Sequence, residues 1–110
     1  MSQSPLYKGS LITIVLQLLQ KEGAMYGYEI TQKVQKLTKG KLDIKEGALY
    51  PLLHKLEASG HVTVFVKKVD NRVRKYYELT AHGTQETATK IQELQAYIQM
   101  INRLVNLKPI

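Results

Sequence analysis

The groups able to do chemistry in this chain fall into two clusters. Tyr50, His54 and Lys55 lie in the stretch Lys45 to Gly60 among the small or flat residues Gly47, Ala48, Pro51 and Ala58, and Lys67, Lys68, Arg72, Arg74 and Lys75 crowd the stretch Val62 to Leu79. Phenol, imidazole and ammonium groups beside small residues suit hydrogen bonding to phosphate at close approach, and clustered cations suit a polyanion. Neither cluster suits catalysis. His54, His61 and His82 lack metal-ligand spacing, and no paired acids, Gly-rich phosphate loop or nucleophile motif accompanies them, so no enzyme activity, metal or cofactor is expected. The absence of cysteine excludes disulfides, thiolate metal sites and a thiol nucleophile. Each cluster alone also fits a plainer account, an amphipathic helix with a small exposed face or a solvated ribbon edge protected from aggregation.

The formal net charge of +7 is unevenly placed. Between Lys33 and Lys75 stand eleven Lys/Arg against four acids, so the whole excess lies in that middle and the flanks sum to zero. A basic centre between neutral ends is what phosphate neutralisation needs. At 110 residues the chain fits one compact domain that buries little surface unless it associates. The start, Met1 to Lys8, has no signal-peptide character, and the apolar run Leu11 to Leu19 is too short and too interrupted by Thr13 and Gln17 to span a bilayer, so a cytoplasmic protein without a membrane partner is expected.

The elements that must position these clusters are four helices and a hairpin. A first helix is expected over Lys8–Glu22, stopped by Gly23, and its apolar residues cover more than one face, so something beyond its own domain should cover it. A second, over Gly27–Leu37, should turn Tyr28, Ile30, Val34 and Leu37 to a core. Asp43 and Glu46 have the spacing of a capping box that would start a third helix near Ile44, yet Pro51 argues for a start near Ala48 or a kinked first turn. At about 100° per residue Leu49, Leu52, Leu53 and Leu56 form its buried stripe, with Gly47, Pro51, His54 and Ala58 pointing away. Val62–Lys67 and Val73–Leu79 alternate as strands around a turn holding Asp70 and Asn71, the latter tolerant of a left-handed backbone. Thr80 should cap a last helix over Ala81–Asn106. There Ile91, Leu94, Ile98, Ile101 and Val105 step by threes and fours as a short heptad seam, with Leu104 adjacent. With Leu11, Ile12 and Val15 of the first helix, they are the expected dimerisation surface; the plainer account is that the stripe covers the chain's own core.

The run Gly47-Ala48-Leu49-Tyr50-Pro51-Leu52-Leu53-His54-Lys55-Leu56-Glu57 with Gly60, then Arg72-Val73-Arg74-Lys75-Tyr76-Tyr77-Glu78-Leu79-Thr80 with Gly83, closely resembles the PadR family of bacterial transcriptional regulators. Tyr26-Gly27-Tyr28-Glu29-Ile30 matches as well, so the resemblance covers roughly Leu11 to Gly83, and a single last helix resembles the short subfamily. It implies a mainly α fold with a small β-hairpin wing, a winged helix-turn-helix over residues 1–80 and a C-terminal dimerisation helix over 81–110. The implied function is a homodimeric, sequence-specific repressor on a palindromic double-stranded DNA operator, with the last helix packing on the other copy's first helix. Carried over by position, Tyr50, Pro51, His54 and Lys55 lie on the recognition helix, Lys45 and Glu46 flank its start, and Arg72, Arg74 and Lys75 lie on the wing; periodicity adds Ala48 to the outward surface of that helix. Lys67, Lys68 and Asn71 complete the expected DNA-binding set from the ribbon tip. The wing turn has Asn71 where family members often have glycine. Some members sense flat apolar compounds through an aromatic between the dimer's helices; here tryptophan is absent, Tyr97 is the only aromatic on the last helix, and an effector stays unassigned. The competing reading is a winged helix that binds protein or RNA.

Overall fold

The computed structural model describes residues 9–108. Helix α1 (Leu11–Glu22) ends at Gly23, whose N–H still donates to the Leu19 carbonyl at 3.1 Å and whose φ of 84° then turns the chain out of the helix; the expected start at Lys8 lies outside the described residues. Two residues later Met25–Tyr26 form a short strand β1, and helix α2 (Gly27–Leu37) follows at once. Its entry is tied by the Tyr26 N–H donating to the Glu29 carboxylate at 3.2 Å. Ile30 and Val34 are buried as expected, but Tyr28 and Leu37 are 52% and 63% exposed, which corrects their placement in the core. Tyr28 stands about 200° around the helix from Ile30, and Leu37, although on the buried face, lies one turn beyond the last residue that the core reaches.

Lys39 and Gly40, both at positive φ, reverse the chain after α2. Helix α3 (Glu46–Ala58) then begins at Glu46 with Lys45 in the cap position and no side-chain cap. The expected capping box is therefore not made. Asp43 instead accepts a hydrogen bond from Lys45 Nζ at 2.6 Å, which together with its charge holds the ammonium proton more tightly than usual. Pro51 sits inside the helix rather than in its first turn, so the Gly47 carbonyl loses its usual N–H donor; Gly47 is exposed, which leaves that oxygen open to solvent. Leu49, Leu53 and Leu56 are buried and Leu52 is half-buried, the stripe the periodicity predicts.

Strands β2 (Val62–Val69) and β3 (Arg72–Leu79) pair antiparallel from Val62 with Leu79 to Val69 with Arg72, leaving Asp70 and Asn71 as a two-residue turn with φ of 51° and 63°. Both residues adopt the left-handed conformation a hairpin turn of this length demands, without glycine. On its far side β3 pairs with β1, Met25 with Tyr77 and Tyr26 with Tyr76, giving a three-stranded sheet in the order β1-β3-β2. Thr80 caps α4 (Ala81–Val105) by accepting the Gly83 N–H at 3.0 Å while its hydroxyl donates to the Gly60 carbonyl at 2.6 Å.

The core joins α1, α2, α3 and the inner sheet face, with Val15, Leu16, Ile30, Leu49 and Leu53 fully closed from solvent. Helix α1 is covered on two sides, as its all-round apolar character requires, but by the chain's own β3 and α4. Leu11 and Val15, expected to meet a second copy, are buried inside this chain's own core; Ile12 is half-buried at its edge. The heptad seam is divided in the same way. Ile91 and Leu94 are half-buried where α4 runs along α1, whereas Ile98, Ile101, Leu104 and Val105 are exposed. The outer half of α4 projects from the body, and the radius of gyration of 15.9 Å exceeds the roughly 13 Å of a compact chain of this length. Among the described residues the result is mainly helical, four α-helices and a small antiparallel sheet in winged helix-turn-helix order.

Candidate nucleic-acid interface

Helix α3 turns a face of small residues outward because its leucines occupy the other side. Gly47, Ala48, Pro51, His54, Lys55 and Ala58 are all exposed, as are Lys45 and Glu46 at its start. Beside it runs the free edge of β3 beyond the point where β1 stops pairing. Between them lies an open groove of about 580 Å³, with Glu46, Tyr50 and His54 on one wall, Arg72, Val73, Arg74 and Lys75 on the other, and Tyr26, Gly27 and Tyr28 at its end. Two elements distant in sequence thus share one surface. The other expected contact residues, Lys45, Ala48, Pro51, Lys55, Lys67, Lys68 and Asn71, are exposed but do not line the groove.

The electrostatics of this surface are one-sided. Among the described residues none of Lys67, Lys68, Arg72, Arg74 and Lys75 has a carboxylate within ion-pair distance; the pairs formed, Lys33 with Glu22, Lys45 with Asp43, His61 with Glu86 and Lys90 with Glu93, lie elsewhere. Their neighbours are rings instead. Arg74 sits over Tyr26 at 4.8 Å and Lys67 over Tyr76 at 5.6 Å, while Phe65 stacks on Tyr76 with centroids 5.3 Å apart. Unneutralised cations arrayed on a stiff ribbon are suited to phosphate. Beneath them burial raises the Tyr77 phenol above its ordinary range, with nearby Tyr50 and Glu57 adding to the shift.

Tyr50 is better buried than an outward-facing residue would be. Its phenol lies against Gly27, where a β-carbon would overlap the hydroxyl and fall 2.6 Å from Cζ. Only glycine leaves room for that seat, which links the third helix to the start of the second. Because the obstacle is the mobile end of a side chain, Gly27→Ala is expected to remain folded within about 1 kcal/mol of wild type, while the Tyr50 ring moves into the groove. Shifted Tyr50 ring resonances in the NMR spectrum would show this; unchanged resonances would place the seat elsewhere. Tyr26, Gly27, Tyr28 and Val73 were not anticipated at the site, and the signal for the first three is the glycine held between two tyrosines.

The remaining histidines serve the scaffold. His61 and His82 stack with centroids 4.4 Å apart, and the His61 ring nitrogens approach Ser59 Oγ at 2.7 Å and Glu86 Oε2 at 3.9 Å, tying the base of β2 to α4. Among the described residues no group of acids, histidines or cysteines is arranged to hold a metal ion. Nor is any described helix long and apolar enough to cross a membrane.

A helix-turn-helix whose second helix and attached ribbon enclose one basic groove defines the winged-helix class. Within it, the chain belongs to the PadR-like family of transcriptional regulators, whose model matches residues 15–89. A transcriptional regulator from Clostridium thermocellum superposes with a TM-score of 0.85 at 32% identity, covering 94% of this chain and 100% of that one. A PadR-like transcriptional regulator from Bacillus cereus gives 0.80 at 26% identity, covering 96% and 100%. An uncharacterized protein of Lysinibacillus sphaericus is 32% identical over 94 residues, 84% of this chain and 85% of its own. Membership implies DNA-binding regulation, and the family is in general not enzymatic.

Proposed function

We propose that this chain is a sequence-specific repressor that binds a palindromic operator in the cytoplasm as a homodimer. Residues 1–80 form its DNA-binding part and 81–110 its pairing helix. The observation that carries the reading is the single groove framed by α3 and the unpaired cations of β3. In it α3 lies in the major groove, where Pro51 and the small residues allow close approach and His54 and Lys55 reach base edges or phosphate. The ribbon, with Lys67, Lys68 and Asn71 toward its tip, follows the adjoining backbone. Pairing uses the apolar stripe on the outer half of α4, Ile98, Ile101, Leu104 and Val105. The surface it meets on the other copy is the open groove between Ile14, Leu18 and Leu37, about 450 Å³ in volume.

Footprinting on fragments of the native genome tests this directly. Protection of two half-sites about 34–36 Å apart, with affinity falling steeply as salt rises, is the expected result. Equal binding to all sequences would refute sequence-specific regulation. Arg74→Ala is expected to weaken binding to every sequence and to reduce the slope of log affinity against log salt by about one phosphate contact. A slope equal to that of wild type would remove Arg74 from the interface.

A further inference from the structure

Arg74 differs from the other ribbon cations in being half-buried, while Lys67, Lys68, Arg72 and Lys75 are exposed. Its guanidinium rests over Tyr26 at 4.8 Å. Tyr26 is in turn held from several directions. Its backbone pairs with Tyr76, its ring meets the Tyr76 ring edge-on at 5.3 Å and 73°, and its N–H donates to the Glu29 carboxylate at 3.2 Å. Glu29 belongs to α2. The surface that carries Arg74 is therefore anchored both to the base of β3, through Tyr76, and to the helix-turn-helix, through Glu29.

We propose that Tyr26 is a positioning residue for DNA binding, whose ring holds the Arg74 guanidinium in the groove between α3 and β3 where it meets a phosphate. The inference rests on the DNA-binding reading above. A free arginine gives up much rotamer freedom when it engages phosphate, and one already seated on an aromatic face has given up part of it beforehand. The attraction is to the face of the ring and consumes no oxygen acceptor, so the N–H donors of the guanidinium stay available for a two-pronged phosphate contact. Glu29 is engaged by the Tyr26 N–H and forms no ion pair with Arg74. The ammonium of Lys67 lies 5.6 Å from its ring and that of Lys75 lies 5.9 Å from its own. Both are longer contacts made by exposed side chains, so the effect belongs to Arg74.

A double-mutant cycle on the full chain separates positioning from folding. Affinity for a mixed-sequence DNA duplex, its salt slope and the melting temperature are measured for Tyr26→Leu, Tyr26→Phe, Arg74→Ala and the Tyr26→Leu, Arg74→Ala pair. Tyr26→Leu is expected to weaken binding about threefold to tenfold and Tyr26→Phe to match wild type, since phenylalanine keeps the ring face. In the Arg74→Ala background Tyr26→Leu should add no further loss. Additive losses, or a Tyr26→Phe variant as weak as Tyr26→Leu, would overturn the positioning role while leaving the interface intact. If Arg74→Ala binds as wild type does, the interface reading itself fails at this residue and the inference with it. A measurement needing no variant is the Arg74 Nε–H resonance of the free protein. A ring-current shift is expected, and a random-coil position would overturn the contact.

Discussion

Gly83→Ala is expected to lower the melting temperature by about 12 °C or more, from a destabilisation of about 3 kcal/mol, at the top of the usual range for overpacking. The helix α4 crosses the start of β2 at this residue with no room for a side chain. A β-carbon here would overlap the His61 carbonyl oxygen, fall 2.9 Å from its carbon and lie 3.0 Å from Leu79 Cδ2. The obstacle is backbone, so no rotamer change relieves it. That same carbonyl accepts the Thr80 N–H at 3.1 Å, so moving it also disturbs the residue that caps α4. Gly47→Ala is the matched control, because nothing lies within 4 Å of its β-position and its φ is not positive. Calorimetry on the two variants decides the matter: a Gly83→Ala chain melting within a few degrees of wild type would mean that α4 is not pressed onto the strand.

The second large effect is expected at Ile98. Ile98→Asp should give a folded single chain, with unchanged helical circular dichroism but monomeric sedimentation, and affinity for a palindromic site lower by about a hundredfold or more as the two half-sites lose their linkage. On periodicity alone the same change is equally compatible with an unfolded chain. The structure separates the two outcomes, since Ile98 is 56% exposed and an aspartate there meets water rather than the chain's own core. A dimer of wild-type stability would refute the proposed pairing surface.

Both residues also show what the sequence discloses. Helix α2 was legible from end to end, Gly27 to Leu37, because glycine and periodicity agree there. The Thr80 cap was legible because a threonine before a helical run has few other uses. The hairpin turn was legible through Asp70 and Asn71. Strand β1 was not, since two residues carry no period. Asp43 and Glu46 had capping spacing, but the helix begins at Glu46 with Lys45 in the cap position, and Asp43 accepts a hydrogen bond from Lys45. The heptad pattern on α4 correctly marked apolar side chains yet could not say which neighbour covers each, and Leu11, Val15, Ile91 and Leu94 turned inward. At the groove, the cationic wall was readable from charge. The tyrosines that seat it were not, because their role depends on a strand register that brings Tyr26 beside Tyr76 across fifty residues of chain.

The projecting end of α4 has a consequence for dosage. A helix of 25 residues extends about 37 Å, and its outer turns hold apolar groups in water as long as the chain is alone. Under the proposed pairing, those turns are covered only through mass action, and a second copy at a hundred times its dissociation constant adds about 2.7 kcal/mol. Below that constant, occupancy of a two-fold site rises with the square of chain abundance. A twofold change in synthesis then becomes about a fourfold change in operator occupancy, a sharpening that comes from leaving one helix half uncovered.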